Sequence, residues 1–134
     1  MSGQERARGR TVLLVDDDED YLAQLGARLR ADGFTVVEAQ GQAAAEELLP
    51  RAGFDLAIVD LMMENMDSGF VVCHLIKKLH PQAPVLLVTG VAGEAGMEFD
   101  AQTPEERAWV KADAMLAKPV RYEQLRVEMD RLLQ

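Results

Sequence analysis

The residues that could do chemistry fall at the ends of apolar runs. Asp16 and Asp17 directly follow Val12-Leu13-Leu14-Val15, and Asp60 directly follows Leu56-Ala57-Ile58-Val59. Thr89 ends the run that begins Val85-Leu86-Leu87-Val88, and Lys118 follows Ala114-Met115-Leu116-Ala117. Carboxylates brought together repel one another and resist ionising jointly unless a cation is near. A hard divalent cation with oxygen ligands meets that need, and Mg2+ suits one or two carboxylates completed by water and phosphate oxygens. One carboxylate can then act as nucleophile on a phosphoryl group, while a hydroxyl and an ammonium donate to its oxygens. Phosphoryl transfer follows only if the fold brings these residues together.

The elements between them say that it does. The runs are short, unbroken and rich in branched residues, the pattern of strands buried on both faces of a parallel sheet. Phe34-Thr35-Val36-Val37 and Ala114-Met115-Leu116-Ala117 are weaker strands of the same kind. Helical spacing separates them. Leu22, Leu25 and Leu29 share a face closed by Asp32-Gly33, and Ala44, Ala45 and Leu48 precede Pro50. Val72, Leu75, Ile76 and Leu79 form a third set ended by His80-Pro81. Thr103-Pro104-Glu105-Glu106 starts a fourth helix reaching about Ala112, and Tyr122, Leu125, Met129 and Leu132 mark a fifth.

Five βα units predict an α/β fold, a doubly wound five-stranded parallel sheet of flavodoxin-like (βα)5 topology with strand order 2-1-3-4-5. All strand ends then point one way, and the polar residues converge on the rim where such folds bind ligands. Taken singly, each has a plainer role: an Asp after a strand often caps the next helix, and Lys-Pro often makes a turn. Their coincidence at four strand ends is what points to a site. Gly90 to Gln102, with three glycines, is long for a βα connection, either a lid or a surface insertion.

The chain of 134 residues fits one domain, expected over 11–134 after a flexible tail over 1–10. A net charge of −9 argues against direct contact with nucleic acid. No run approaches the ~20 apolar residues of a membrane span, and the polar start lacks the apolar stretch of a secretory signal. The lone Cys73 forms no internal disulfide, so a cytoplasmic setting is expected. Cys73 reads as packing. His74 and His80 have no ligand partner at metal spacing and read as surface residues.

Val15-Asp16-Asp17, Val59-Asp60-Leu61-Met62-Met63, Val88-Thr89-Gly90 and Lys118-Pro119, in this order and spacing, resemble the receiver domains of two-component response regulators. The likeness extends from about Thr11 to Leu133 and is nearest to stand-alone, chemotaxis-regulator-like receivers. It implies that Asp60 accepts a phosphoryl group from a sensor histidine kinase or a histidine phosphotransfer protein. Mg2+ would be held by Asp17 directly, by Asp16 mainly through water, by Asp60 and by the Met62 carbonyl. Thr89 would turn inward to a phosphoryl oxygen and Lys118 would pair with the phosphate. Downstream partners would read the face made by the fourth helix, fifth strand and fifth helix, and a homodimer is compatible with the family. The only catalysis implied is of the domain's own phosphorylation and dephosphorylation.

There are departures from the family pattern. Met63-Glu64-Asn65-Met66-Asp67-Ser68-Gly69 lacks the usual Pro and is one residue longer. Met62 is apolar where a side chain faces the phosphoryl group, and Met115 replaces an aromatic three residues before Lys118. The extended Gly90–Gln102 segment leads into a helix carrying the only tryptophan, Trp109. Two alternatives stand beside the main reading. One is a pseudo-receiver that only binds. The other is a haloacid-dehalogenase-type phosphatase using Asp16 and Asp18, against which stand the lack of a further acidic pair soon after Lys118 and of a cap domain.

Overall fold

In the computed structural model, which describes residues 7–65, 67–90 and 112–133, each apolar run forms a strand. The strands are β1 (Thr11–Asp16), β2 (Thr35–Gln40), β3 (Leu56–Asp60), β4 (Val85–Thr89) and β5 (Ala114–Ala117). The helices are α1 (Glu19–Ala31), α2 (Gln42–Leu48), α3 (Ser68–Leu79) and α4 (Tyr122–Leu132), the last being the fifth expected from sequence. All pairings are parallel, in the order β2-β1-β3-β4-β5. The expected α/β topology is therefore the observed one. The helix expected from Thr103, with Trp109, and nearly all of the Gly90–Gln102 segment lie outside the described residues.

Successive side chains of a strand point to opposite faces, and the sheet buries both. Leu14, Ile58 and Leu86 pack with Leu22, Leu25 and Leu29 of α1 and with Leu125 and Met129 of α4. Leu13, Val15, Ala57, Val59 and Leu87 pack on the other side with Ala45, Val72 and Ile76 of α2 and α3. This is why the central runs lack polar alternation. Removing one such leucine to alanine would cost about 2–5 kcal/mol. Strand β2 is an edge and does alternate in part; it starts after the buried Phe34 and runs on to Gln40.

Helix entries set the rim. Asp18 caps α1, its carboxylate accepting from the Asp20 and Tyr21 amides at 3.0 and 3.2 Å. Gly33 follows the helix at φ 108°, a conformation that favours glycine. Gly69 lets α3 close onto β3: its N–H donates to the Leu61 carbonyl at 2.7 Å, and a Cβ there would stand 2.4 Å from Leu61 Cα. No larger residue fits without moving the backbone that follows Asp60.

Two local expectations change. Ala7 is wholly buried in the core and Arg10 accepts the Thr35 N–H at 2.9 Å, so residues 7–10 are seated on the domain. His80 is half-buried, with Nε2 2.8 Å from the Leu49 carbonyl and its ring 4.6 Å from that of Phe54. Among the described residues, no helix is long and apolar enough to cross a membrane.

Candidate functional site

Register brings the acidic strand ends level. Val15 pairs with Val59 and Asp60 with Val88, so the residues after β1 and the end of β3 emerge side by side. Thr89 pairs with Ala117, and the Lys118 N–H donates to the Thr89 carbonyl at 2.8 Å, which seats the lysine at the same rim. Asp16 and Asp60 are buried, at 3% and 6% exposure, whereas Asp17 is open to solvent. One carboxylate oxygen from each of Asp16, Asp17 and Asp60 lies within 4.8 Å of the others. Lys118 Nζ stands 3.5 Å from Asp16 Oδ2 and 3.4 Å from Asp60 Oδ1. The Thr89 hydroxyl donates to the adjacent Gly90 carbonyl at 3.2 Å.

The electrostatics follow from this crowding. Burial, reinforced by the charge of Asp16, pushes the Asp60 carboxyl up to about 6 against the pull of Lys118. Burial also raises Asp16, although the Asp18 amide and Lys118 oppose it. For Lys118, burial disfavours the charge, but Asp60 and Asp16 outweigh it and the ammonium is held above its usual value. Three carboxylates thus face one ammonium, and the two buried ones, Asp16 and Asp60, resist ionising. The donor set is all hard oxygen and short of positive charge, which fits a small divalent cation bound directly or through water.

Met62 is 38% exposed at the start of the loop after Asp60. The loop is held by its own bonds: Met63 N–H to the Asn65 carbonyl (3.3 Å) and Asn65 N–H to Ser68 Oγ (2.9 Å). Met66 lies outside the described residues. Met115 is partly buried against the core cluster on the α2 and α3 side of the sheet.

Two neighbours were not singled out by sequence. The Tyr21 ring lies 5.1 Å from Lys118 Nζ and roofs the lysine. Glu64 accepts the Gln42 N–H at 2.8 and 2.9 Å, and that amide holds its carboxyl below the usual range. A helix that starts at Gly41-Gln42 with no capping side chain was the available signal for Glu64; nothing in the sequence marked Tyr21. Asp18, the second carboxylate of the phosphatase alternative, is exposed and engaged in capping α1, and does not join the cluster.

Comparison with known proteins agrees with the geometry. The sequence profile of the response regulator receiver domain matches residues 12–130. The transcriptional regulatory protein GlrR of Escherichia coli K12 is 42% identical over 78 residues, 58% of this chain and 17% of that protein. A cyclic di-GMP phosphodiesterase of Thermotoga maritima is 33% identical over 123 residues, 92% of this chain and 31% of that protein. The chain thus spans less than half the length of these curated relatives. Among solved structures, a CheY-like receiver domain protein from Methanospirillum hungatei superposes with a TM-score of 0.76 at 25% identity, covering 92% of this chain and 93% of that one. The non-phosphorylated HemR receiver domain of Leptospira biflexa gives 0.75 at 26% identity, covering 93% and 94%. With its sheet order, its acidic rim and a profile match over nearly its whole length, the chain belongs to the response regulator receiver domain family of two-component signal transduction.

Proposed function

We propose that Asp60 is the phosphoacceptor, taking its phosphoryl group from a sensor histidine kinase or a histidine phosphotransfer protein. The observation that carries this is the placement of one buried carboxylate beside two others and a lysine at 3.4 Å, on an open rim. An Asp60 oxygen attacks the phosphorus of the phosphohistidine, the P–N bond breaks, and the imidazole leaves. Lys118, already directed at Asp60, moves onto a phosphoryl oxygen and offsets its charge. The Thr89 hydroxyl exchanges the Gly90 carbonyl for another phosphoryl oxygen. Asp16, Asp17, Asp60 and the Met62 carbonyl would hold Mg2+, which supplies positive charge to the transferring group.

The inward turn of Thr89 carries the signal along β4 and β5 toward the face that the family resemblance implies, made by the helix expected from Thr103 together with β5 and α4, where a downstream protein or a second copy binds. The domain acts in the cytoplasm, through protein partners and without touching nucleic acid. Because the Met62 side chain cannot orient a water by hydrogen bonding, the acyl phosphate is long-lived, and Met62→Asn shortens its lifetime.

Mass spectrometry after incubation with acetyl phosphate and Mg2+ tests the proposal. Wild type gains one phosphoryl group and Asp60→Asn gains none. An unmodified wild type would favour the pseudo-receiver reading instead.

A further inference from the structure

A bridge of hydrogen bonds joins the two acidic strand ends through a third part of the chain. The backbone of Asp16 and Asp17 holds the corner between β2 and α2: Gly41 N–H donates to the Asp16 carbonyl at 3.1 Å, and Gln40 Nε2 to the Asp17 carbonyl at 3.4 Å. The same corner grips the loop after β3. Gln42 N–H donates to Glu64 Oε1 and Oε2 at 2.8 and 2.9 Å, and Ala43 N–H reaches Oε2 at 3.4 Å. Glu64 stands two residues beyond Met62. It caps a helix whose own N-cap, Gly41, makes no side-chain cap bond. The corner leaves room for it: Gly41 has φ 95°, and a Cβ there would lie 2.7 Å from Glu64 Oε2.

We infer that Glu64 is a positioning residue for the metal site, tying the Met62 loop to the backbone that carries Asp16 and Asp17. The inference rests on the metal reading given under "Proposed function". Mg2+ demands near-ideal octahedral geometry, so the separation between the Met62 carbonyl and the two carboxylates must be held. Glu64 does this by reach, its oxygens meeting the Gln42 and Ala43 amides across the gap between the loop and the helix. Glu64 is not itself a ligand, because both its oxygens are engaged on α2 and the carboxylate cluster is Asp16, Asp17 and Asp60.

Two conservative variants separate reach from charge. E64D keeps the charge and shortens the arm by one methylene; E64Q keeps the reach and loses the charge. Calorimetric titration of the chain with Mg2+ should show E64D weakened about tenfold and E64Q within about threefold of wild type, the scale of losses when groups that orient metal ligands are altered. The amide resonances of Gln42 and Ala43 should move on Mg2+ addition in wild type and E64Q, and much less in E64D. Unchanged affinity in both variants would leave Glu64 as a helix cap only and overturn the inference. So would E64Q falling further than E64D, since charge alone would then matter. A wild type that binds no Mg2+ would overturn the metal reading itself, a result distinct from wild-type binding that E64D preserves.

Discussion

Two clusters of carboxylates, cationic side chains and a tyrosine sit in this domain and are built to opposite ends. Where α1 meets α4, Asp32 Oδ2 accepts from the Tyr122 hydroxyl at 2.5 Å and from Arg126 Nη1 at 2.7 Å. Arg126 Nη2 donates to Asp130 at 3.2 Å, and Arg28 lies 4.0 Å over the Tyr122 ring. There, charges meet partners at hydrogen-bond distance. At the rim, Lys118 stands 3.4–3.5 Å from two carboxylates and a third lies beside them. The first cluster joins two helices; the second is short of positive charge and pushes Asp60 up to about 6. Charges left unbalanced by the fold are local violations of the kind that concentrate at functional sites, and the rim is where we propose that a cation and a phosphoryl group bind.

The contrast can be broken at either end. The largest effect is expected from Asp17→Asn, which removes a proposed ligand and should weaken Mg2+ on the order of a hundredfold in calorimetry, with little change in metal-free stability. Arg126→Met should do the reverse. It leaves the partly covered Asp32 and Asp130 carboxylates without their guanidinium, and should cost about 1–2 kcal/mol in urea unfolding while Mg2+ affinity stays within about twofold.

A smaller, opposite effect is expected from Asp60→Asn without divalent ions. Because the folded state holds the Asp60 proton more tightly than the unfolded chain, with the value raised from 3.8 to about 6, wild-type stability falls as pH rises through that window. Near neutral pH the substitution should therefore stabilise the metal-free domain by about 1–2 kcal/mol, and the gain should vanish below about pH 4. Thermal melts across pH would show it; a variant less stable at neutral pH would mean the rim is already balanced. The smallest change, Tyr122→Phe, deletes one hydroxyl on Asp32 and should cost about 1 kcal/mol without altering phosphorylation.

Much of this was legible in the sequence because strand-end placement is a short-range property. An unbroken apolar run says where a buried strand lies, and the residue after it must emerge at the rim. In a parallel sheet every such residue emerges on the same side, so Asp16, Asp17, Asp60, Thr89 and Lys118 could be gathered without knowing the register. The reasoning failed where contact depends on the sheet's twist and on how helices and loops lean together. Glu64 reaches a helix 22 residues earlier, Arg126 pairs with Asp32 from 94 residues away, and Tyr21 roofs Lys118. Burial of Ala7 and the seat of His80 against Phe54 belong to the same class.

By itself, then, the sequence determined the fold class, the strand order and which residues stand at the rim, since period and chain direction are written locally. Only the tertiary structure decided how those residues are held: the 3.4 Å approach of Lys118 to Asp60, the burial that raises Asp60, and the Glu64 bridge beneath the Met62 loop. These depend on distances between segments remote in the chain, which no local pattern specifies.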